Sequence, residues 1–264
     1  MPTLTISTIQ TQLHWEDKEK NLRMLEEKIN TLFHKTEIVV LPEMFSTGFS
    51  MNAEKLAETM DGPTIGWMKK LSAENRVILT GSLIIEEDNK YYNRLIWMMP
   101  NGEFGYYNKR HLFAYGEEDK HYSSGNKRLI ASVKGWKINL QVCYDLRFPV
   151  WSRQLPANGD LYEYDALIYV ANWPERRSHA WKTLLCARAI ENQCYVIGVN
   201  RVGNDGKDIY YSGNSLVIDP LGEVLYHMAD DEDVYTVTLL KEQLEQVRTK
   251  FPFMKDADGF VIST

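Results

Sequence analysis

Three residues that could take part in acyl chemistry each follow a segment with the pattern of a β-strand. They are a carboxylate, Glu43, an amine, Lys109, and a thiol, Cys143. Loops at strand ends are held in place by a sheet and still face solvent, so catalytic groups are often found there. A thiol is mostly un-ionised at neutral pH, and it needs a base or a nearby cation before it can attack a carbonyl carbon. With Glu43 as the base and Lys109 as the cation, these residue types suit nucleophilic acyl transfer.

Each of the three residues also has a structural explanation. A free cysteine after a strand is usually a small buried hydrophobe. A glutamate in such a place is more often a surface or capping group, and a lysine beside Arg110 is more often part of a solvated pair. The pattern alone leaves the catalytic and the structural interpretation open.

The segment 141–149, QVCYDLRFP, carries the thiol, and the rest of the chain is organised around it. Residues 136–140 before it alternate apolar and polar side chains, which predicts a strand with one buried face. Asp145 favours a turn, and Pro149 can occupy the first turn of a helix that continues over 150–155. The sequence therefore predicts a strand, a sharp turn that exposes the thiol, and a short helix.

The spacing of apolar residues predicts the remaining elements. Side chains three and four apart predict helices, and alternation or short apolar runs predict strands. Helices are predicted over 17–35, 64–75, 178–193 and 241–249. Strands are predicted over 3–9, 38–41, 77–86, 92–99, 104–108, 166–170, 195–200, 215–219, 224–227 and 234–239. No linker rich in proline, glycine or serine divides the chain. We therefore expect one α/β domain over residues 1–264, with helices outside a mixed, mainly buried sheet system and a tail over about 250–264.

The composition limits the classes of function. The chain has 264 residues, of which 44% are apolar and 25% charged, as in ordinary globular proteins. Its net charge of −6 argues against a nucleic-acid groove, which needs a basic face. The three cysteines, Cys143, Cys186 and Cys194, are too few for a disulfide framework or a zinc ribbon, and their odd number suits a reducing compartment. Because the sequence shows no signal peptide and no apolar run of about 18 residues, we expect a cytoplasmic protein that does not span a membrane.

Five segments, in order along the chain, resemble the motifs of one known family. They are 41–45 (LPEMF), 108–113 (NKRHLF), 141–149 (QVCYDLRFP), 171–174 (ANWP) and 187–193 (ARAIENQ). The segment 212–222, SGNSLVIDPLG, continues the match. On these motifs the chain is identified as a member of the nitrilase superfamily of carbon–nitrogen hydrolases. The resemblance implies a four-layer α-β-β-α sandwich and an enzyme with a Glu-Lys-Cys triad and no metal or organic cofactor.

By match of motif, the triad consists of Glu43 as general base, Lys109 as stabiliser of the oxyanion and Cys143 as nucleophile. The backbone N–H of Tyr144 would be a second oxyanion donor. The mechanism that this implies has two steps. Cys143 displaces ammonia from an amide to form a thioester, and water activated by Glu43 then hydrolyses the thioester to a carboxylate.

The family also has a second glutamate between the lysine and the cysteine. Glu118, in the acidic loop 116–119, is the best match because residues 121–125 (HYSSG) follow it like the H-Y-x-x-G of the family. Because Glu117 is adjacent, the sequence leaves open whether the second glutamate is Glu117 or Glu118.

Within the superfamily, the motifs look most like the ω-amidase branch, whose members deamidate 2-oxo acids with a terminal amide, chiefly 2-oxoglutaramate and 2-oxosuccinamate. Such a small substrate carries a carboxylate at its far end, so its pocket needs a cation. Arg147 could supply a bidentate fork, and an equally good explanation for it is structural pairing with Asp145 or Glu191. Candidate pocket walls are three aromatic residues: Phe45, Tyr115 and Trp173.

Other interpretations stay open at the level of the sequence. Nitrile, N-carbamoyl or other aliphatic amide hydrolysis uses the same triad in the family. A cysteine–histidine hydrolase could use His111 or His179, although Cys143 lacks the sequence surroundings of such proteases. A non-catalytic oligomeric scaffold would not need Glu43 and Lys109 beside the thiol. Because the family's dimers pack sandwich on sandwich, we expect a homodimer or a higher homo-oligomer.

Overall fold

The computed structural model describes residues 2–32, 36–155 and 160–262, which form strands and helices joined by short loops and hairpins. The strands are β1 (Thr3–Gln10), β2 (Ile38–Val40), β3 (Ile78–Glu87), β4 (Lys90–Met98), β5 (Phe104–Asn108), β6 (Leu129–Val133), β7 (Trp136–Val142), β8 (Ala166–Val170), β9 (Tyr195–Val199), β10 (Val202–Asn204), β11 (Tyr210–Ile218), β12 (Val224–Ala229) and β13 (Asp233–Leu240). The helices are α1 (Lys18–Asn30), α2 (Ala53–Leu56), α3 (Pro63–Asn75), α4 (Glu118–His121), α5 (Pro149–Ser152), α6 (Ser178–Asn192) and α7 (Lys241–Lys250).

The strands form two sheets. The first has the order β13-β1-β2-β3-β4-β5, and the second has the order β10-β11-β9-β8-β7-β6 with β12 paired to β11. Strands β1, β2 and β3 run parallel, and so do β7, β8 and β9. The carboxyl ends of three of these parallel strands lead into the loops that carry Glu43, Cys143 and Asn172.

The two sheets pack face to face, and helices cover their outer faces. In β2, Ile38 and Val40 lie in the core between the sheets, together with Ile138 and Leu140 of β7. Val39 points the opposite way, as alternation along a strand requires, and packs in a second core with side chains of α1 and α3. Helix α6 packs on β9 and β11 of the second sheet. The predicted four-layer α-β-β-α sandwich is confirmed.

Helix α1 is shorter than the predicted helix over 17–35. Asp17 precedes it, and the carboxylate of Asp17 accepts a hydrogen bond from the N–H of Lys20 at 3.1 Å, which caps the first turn. The helix ends at Asn30, and residues 33–35 lie outside the described part of the chain.

Two short segments around the catalytic candidates also differ from the prediction. Helix α5 stops at Ser152 rather than at residue 155, because Arg153 adopts an extended conformation with a ψ of 137°. The acidic segment 116–119, predicted as a loop, contains the start of the one-turn helix α4 at Glu118.

Strands β6 and β10 are not among the predicted strands. The sequence of β6, LIASV, is half-buried along most of its length, so the contrast between its two faces is weak. Strand β10 has only three residues, too few for a pattern to be recognised. Strand β11 begins at Tyr210, before the predicted start at residue 215. Gly213 and Asn214 adopt positive φ angles at a bulge within the strand, and this bulge interrupts the alternation on which the prediction rests.

In the part of the chain that is described, no helix is long and apolar enough to cross a membrane.

After α7 the chain forms a 3₁₀ turn at Phe253–Asp256, in which Met254 is buried, and continues without regular structure to residue 262. The organisation as one domain stays a prediction.

Candidate active site

Glu43 is presented by the loop that follows β2. The N–H of Met44 donates to Oγ of Ser82 at 2.9 Å, and the N–H of Phe45 donates to the backbone oxygen of Ser82 at 3.1 Å. These bonds to the neighbouring strand β3 hold the loop, in which Met44 has a φ of +43°. The side chain of Glu43 is wholly buried. The first sheet therefore sets the position of this carboxylate.

Lys109 follows β5 and joins two buried glutamates. Its Nζ lies 2.9 Å from Oε1 of Glu43 and 2.9 Å from Oε2 of Glu118, and all three side chains are buried. Burial alone would lower the pKa of Lys109, but the negative charges of Glu118 and Glu43 outweigh burial and raise the pKa above its usual value. The ammonium therefore stays charged, which suits a stabiliser of an oxyanion.

The adjacent residues Glu117 and Glu118 lie in different environments. Glu118 begins α4, and its buried Oε2 accepts from the N–H of Phe113 at 2.6 Å as well as from Lys109. Burial raises the pKa of Glu118, although the charge of Lys109 opposes the shift. The side chain of Glu117 is exposed and pairs with Lys120 at 2.6 Å. Of the two glutamates, Glu118 is the one that contacts the other catalytic candidates.

Cys143 is the first residue of a 3₁₀ turn, Cys143–Arg147, that follows β7. It has a φ of +44°, and its Sγ lies 3.8 Å from the backbone oxygen of Asn172. Burial and the negative charge of Glu43 raise the pKa of the thiol well above its usual value, although Lys109 opposes the shift. The resting thiol is therefore protonated near neutral pH. A protonated thiol favours activation of Cys143 by a general base over attack by a preformed thiolate.

The backbone N–H of Tyr144 lies beside the thiol in the same turn. Tyr144 is the second residue of the turn, and the first N–H groups of a helical turn have no partner within it. Its ring packs edge-on against the rings of Phe113 and Phe148, with centroids 5.0 and 5.1 Å away. This packing holds the residue whose N–H we expect to face a developing oxyanion.

Asp145 ties the loop of the thiol to the loop of the lysine. Its Oδ2 accepts from the N–H of Val142 at 3.0 Å and from the hydroxyl of Tyr107 at 2.7 Å. Its Oδ1 accepts from the N–H of His111 at 3.0 Å. The carboxylate is wholly buried, so it holds the chain on both sides of the site. The sequence analysis names Asp145 as turn-prone and as a candidate partner of Arg147, and no pattern in the sequence reveals this cross-link.

Two asparagines that the sequence analysis does not assign contact the glutamates. The N–H of Asn172 donates to Oε2 of Glu43 at 2.8 Å, and its Nδ2 donates to the backbone oxygen of Glu43 at 2.6 Å. Nδ2 of Asn93, on β4, donates to Oε1 of Glu43 at 2.8 Å and to Oε1 of Glu118 at 3.0 Å. Asn172 lies in the ANWP motif, which could have pointed to it. The only signal for Asn93 is a polar residue within a predicted strand.

Cys143 and Lys109 line a cavity of about 210 Å³. Its wall also contains four cationic side chains: Arg147, Arg176, Arg177 and Lys207. The carboxylate of Asp205 lies in the wall as well, but its Oδ1 accepts hydrogen bonds from the N–H groups of Lys207 and Ile209, at 2.8 and 3.0 Å. The net charge of the cavity wall is therefore positive, which suits an anionic ligand.

Arg147 and Trp173 lie together in the cavity wall. The guanidinium carbon of Arg147 is 4.8 Å from the centre of the Trp173 ring. The alternative pairing of Arg147 with Asp145 or Glu191 is not formed, because Asp145 holds the two loops and Glu191 pairs with Arg188 at 3.0 Å. Within the described ranges, no carboxylate lies at ion-pair distance from Arg147, so its N–H groups can bind a ligand.

The other two aromatic candidates lie in different places. Tyr115 lines the cavity, and 86% of it is exposed. Phe45 does not line the cavity, and its prediction as a pocket wall is wrong. Its N–H is bonded to β3, which turns the ring into the core between the first sheet and α3, with its centroid 5.9 Å from that of Trp67. Burial in that core removes more apolar surface from water than a cavity wall would.

The profile of the carbon-nitrogen hydrolase family matches residues 5–249. The chain belongs to the carbon–nitrogen hydrolase family. Omega-amidase YafV of Escherichia coli is 41% identical to it, with 98% of this chain and 99% of that protein covered. A 2-oxoglutaramate amidase of Bacillus subtilis is 31% identical, with 96% of each covered. A CN-hydrolase superfamily protein of Xanthomonas campestris, solved with an arsenic adduct in its active site, is 43% identical and superimposes with a TM-score of 0.97, with 100% of both chains covered.

These matches confirm the predicted superfamily and the prediction that the protein is a carbon–nitrogen hydrolase. The residues of the five motifs lie within the matched range, together with the site described above. The three relatives match nearly the whole of this hydrolase rather than a fragment of it.

The histidines of the cysteine–histidine alternative do not contact the thiol of this hydrolase. Nδ1 of His111 lies 2.8 Å from Oδ1 of Asp145, and its ring stacks on Phe148 at 3.9 Å between centroids. His179 is exposed on α6. In the part of the chain that the structure covers, neither ring is hydrogen-bonded to Cys143. The geometry therefore gives this alternative no support.

The described residues contain no group of three or more His, Cys, Asp or Glu side chains that could hold a metal ion. The two carboxylates of the site meet at Nζ of Lys109. In this hydrolase an ammonium therefore occupies the place between the carboxylates.

Proposed function

We propose that the protein releases ammonia from the terminal amide of a small 2-oxo acid, 2-oxoglutaramate or 2-oxosuccinamate, through a thioester on Cys143. One observation carries the proposal. Cys143 and Lys109 line the same cavity as Arg147, and the buried carboxylate of Glu43 lies against Lys109. The names of two relatives, an omega-amidase and a 2-oxoglutaramate amidase, support this substrate class.

In the first step, Sγ of Cys143 attacks the amide carbon while Glu43 takes the thiol proton. A carbon–sulfur bond forms, and the electrons of the carbonyl double bond move to its oxygen. The ammonium of Lys109 and the N–H of Tyr144 stabilise this oxyanion, whose charge develops only in the transition state. Glu43 then gives its proton to the amide nitrogen, the carbon–nitrogen bond breaks, and ammonia leaves.

In the second step, water hydrolyses the thioester. Glu43, again ionised, takes a proton from a water molecule whose oxygen attacks the thioester carbon. The same two donors stabilise the second oxyanion. Its collapse breaks the carbon–sulfur bond, and the proton on Glu43 returns to Sγ of Cys143. The product leaves as a carboxylic acid, which loses its remaining proton to solvent and becomes a carboxylate. Glu118 acts through Lys109, which it holds in position.

Arg147 binds the carboxylate at the far end of the substrate. A guanidinium can form two parallel hydrogen bonds to a carboxylate, and the contact with the ring of Trp173 restricts where the guanidinium can lie. Arg176, Arg177 and Lys207 add positive potential that attracts an anion to the cavity. Trp173 and Tyr115 provide its aromatic walls.

Ammonia release from 2-oxoglutaramate tests the proposal, with glutamine and a simple aliphatic nitrile as comparison substrates and Cys143→Ala as the control variant. We expect release from the oxo-amide, lost in the variant, and little release from glutamine, because the ammonium group of glutamine is repelled by the cationic wall.

The other outcomes are equally informative. Release from the nitrile or from glutamine alone would assign the protein to another activity of the family. Retention of more than a few per cent of the activity in the Cys143→Ala variant would exclude the cysteine as nucleophile. No release from any substrate would favour a non-catalytic scaffold.

A homodimer or higher homo-oligomer is part of the proposal, together with a single domain over 1–264 and a cytoplasmic location. Ile190 on α6 and Leu221, after β11, are both about half exposed. A Cβ atom at Gly222 would lie 2.7 Å from Cδ1 of Ile190, so the two exposed side chains belong to neighbouring parts of the surface. Contact with a second copy would remove these two side chains from water, which supports this part of the proposal. Light scattering should show at least a dimer, and a monomeric mass would contradict this part of the proposal.

A further inference from the structure

Asn93, on β4, bridges the two buried glutamates. Its Nδ2 donates to Oε1 of Glu43 at 2.8 Å and to Oε1 of Glu118 at 3.0 Å. The same two oxygens accept from Nζ of Lys109, at 2.9 and 3.1 Å. Two carboxylate oxygens are therefore bridged by two nitrogens, one charged and one neutral.

Electrostatics makes the neutral bridge important. Glu43, Glu118 and Lys109 are buried, and one ammonium cannot neutralise two carboxylates. Buried like charges repel each other and favour protonation of one of the two groups. Hydrogen bonds from an amide to an ionised carboxylate stabilise its charge without adding net charge. Both N–H groups of the Asn93 side chain serve in this way.

The other end of the Asn93 amide supports a role at this cluster rather than in packing. Its Oδ1 is buried and has no hydrogen-bond partner among the described residues. A buried oxygen without a donor is unfavourable, and a leucine of similar size would fill the space without it. The side chain is satisfied only where it meets the glutamates. Its orientation follows from that contact, since an amide oxygen in place of Nδ2 would face two carboxylates.

The backbone of Asn93 supports the same group of residues. Its carbonyl oxygen accepts from the N–H of Lys109 at 3.0 Å. Within β4 it pairs with Ile84 of β3, so a sheet rather than a loop holds it. One residue therefore contacts the backbone of the lysine and the side chains of both glutamates.

We propose that Asn93 is a positioning residue, which holds the carboxylates of Glu43 and Glu118 side by side against Lys109 and keeps both ionised, so that Glu43 can accept the thiol proton. The inference rests on the proposed role of Glu43 as general base. Loss of the N–H donors favours the protonated form of a carboxyl group, so the reaction would need a higher pH. Among the residues that the structure describes, the charged and titratable groups that interact with Glu43 are Lys109, Glu118, Cys143 and Tyr122.

Asn93→Leu and Asn93→Asp test the proposal, with Asn139→Leu as the matched control. The leucine removes both donors, and the aspartate keeps the shape but replaces the donor group by an oxygen. Asn139 is also buried within a strand, β7, and makes no hydrogen bond to a described residue through its side chain. For each protein, two pH profiles are measured: kcat/KM for ammonia release, and the rate of alkylation of Cys143 by iodoacetamide, followed by mass spectrometry.

In both Asn93 variants we expect kcat to fall about 10–100-fold with KM within about threefold, because outer hydrogen bonds orient the reacting groups rather than bind the substrate. The acid limb of both profiles should move up by about one pH unit, because an ionised Glu43 must take the thiol proton in alkylation as it does in turnover. The Asn139→Leu variant should keep the wild-type profiles.

A wild-type kcat, or a lower kcat with unmoved acid limbs, would overturn the proposal. If both Asn93 variants fail to fold while Asn139→Leu folds, Asn93 serves the fold and the proposal is equally overturned. Alkylation needs no amide substrate. The wild-type protein could fail to act on 2-oxoglutaramate while the acid limb of alkylation still shifts in the variants. That result would refute the proposed substrate and support the role of Asn93.

Discussion

Lys109 donates to both carboxylate oxygens of Glu118, at 2.9 and 3.1 Å, and neither side chain is exposed to solvent. Oε1 of Glu43 also accepts from this ammonium. Lys109 is therefore shared between the proposed base and Glu118 rather than paired with Glu43 alone. Oε2 of Glu43 has no bond to Lys109 and accepts instead from the N–H of Asn172. This arrangement leaves one oxygen of the proposed base outside the ion pair.

Glu118→Gln should lower kcat about 100-fold and leave KM nearly unchanged. The glutamine cannot hold the ammonium through two charged oxygens, and small misplacements of a catalytic group cost rates of this order. Steady-state kinetics measure the effect. Glu117→Gln is the control, because Glu117 is exposed and pairs only with Lys120 in the described part of the chain. Equal losses in the two variants would refute the assignment of the second glutamate to Glu118.

The thiol of Cys143 should be protonated at pH 7 and ionise only in alkaline solution. Burial and the charge of Glu43 raise its pKa, so the thiolate form is disfavoured below that raised value and gained as the pH rises through it. The measurement is the thiolate absorbance near 240 nm as a difference between wild type and Cys143→Ala.

Glu43→Gln should shift this titration to lower pH, because it removes a negative charge that raises the pKa of Cys143 while Lys109 stays in place. The variant should nevertheless lose turnover, since no group then carries the proton from the thiol to the leaving nitrogen. A thiolate signal at pH 7 in the wild type would argue for a preformed thiolate instead of base catalysis.

Arg147→Lys should raise KM for an acidic amide more than for a neutral amide of the same length. A lysine keeps the charge but loses the bidentate fork, and the loss is worth about 10-fold in binding. Parallel kinetics on 2-oxoglutaramate and on a neutral aliphatic amide measure the difference. Equal changes for both substrates would reject the role of Arg147 in binding the carboxylate.

Asp145→Asn should lower both stability and kcat. The new Nδ2 group would face N–H or O–H donors, and an unsatisfied buried donor costs about 1–3 kcal/mol of unfolding free energy. Because Asp145 joins Val142 to Tyr107 and His111, its loss should also displace the thiol relative to the lysine.

Asp219→Asn is the control for Asp145→Asn. The buried Oδ1 of Asp219 accepts from the N–H groups of Leu221 and Glu223, in a turn outside the cavity wall. Thermal melts and kinetics should show a loss of stability in both variants and a loss of kcat only in Asp145→Asn. An unchanged kcat in Asp145→Asn would refute its role in aligning the two loops.

The sequence by itself determined where strands end and which reactive residues follow them. The apolar run before Glu43 and the alternation before Cys143 are local patterns. As those patterns require, β2 contributes side chains to both cores, and the apolar residues of β7 all lie in the core between the sheets. Family motifs then implied roles for the reactive residues. The choice between Glu117 and Glu118 stayed open because neighbours in sequence share the same local pattern.

Only the tertiary structure decided which of these residues meet. Asn172 contacts Glu43 across 129 positions of the chain, and Asn93 contacts it across 50. The cross-link of Asp145 and the burial of Phe45 likewise depend on how the two sheets and their loops pack together. A local pattern specifies which face of a strand is apolar, but a contact between distant residues is set by the free energy of the whole packed fold.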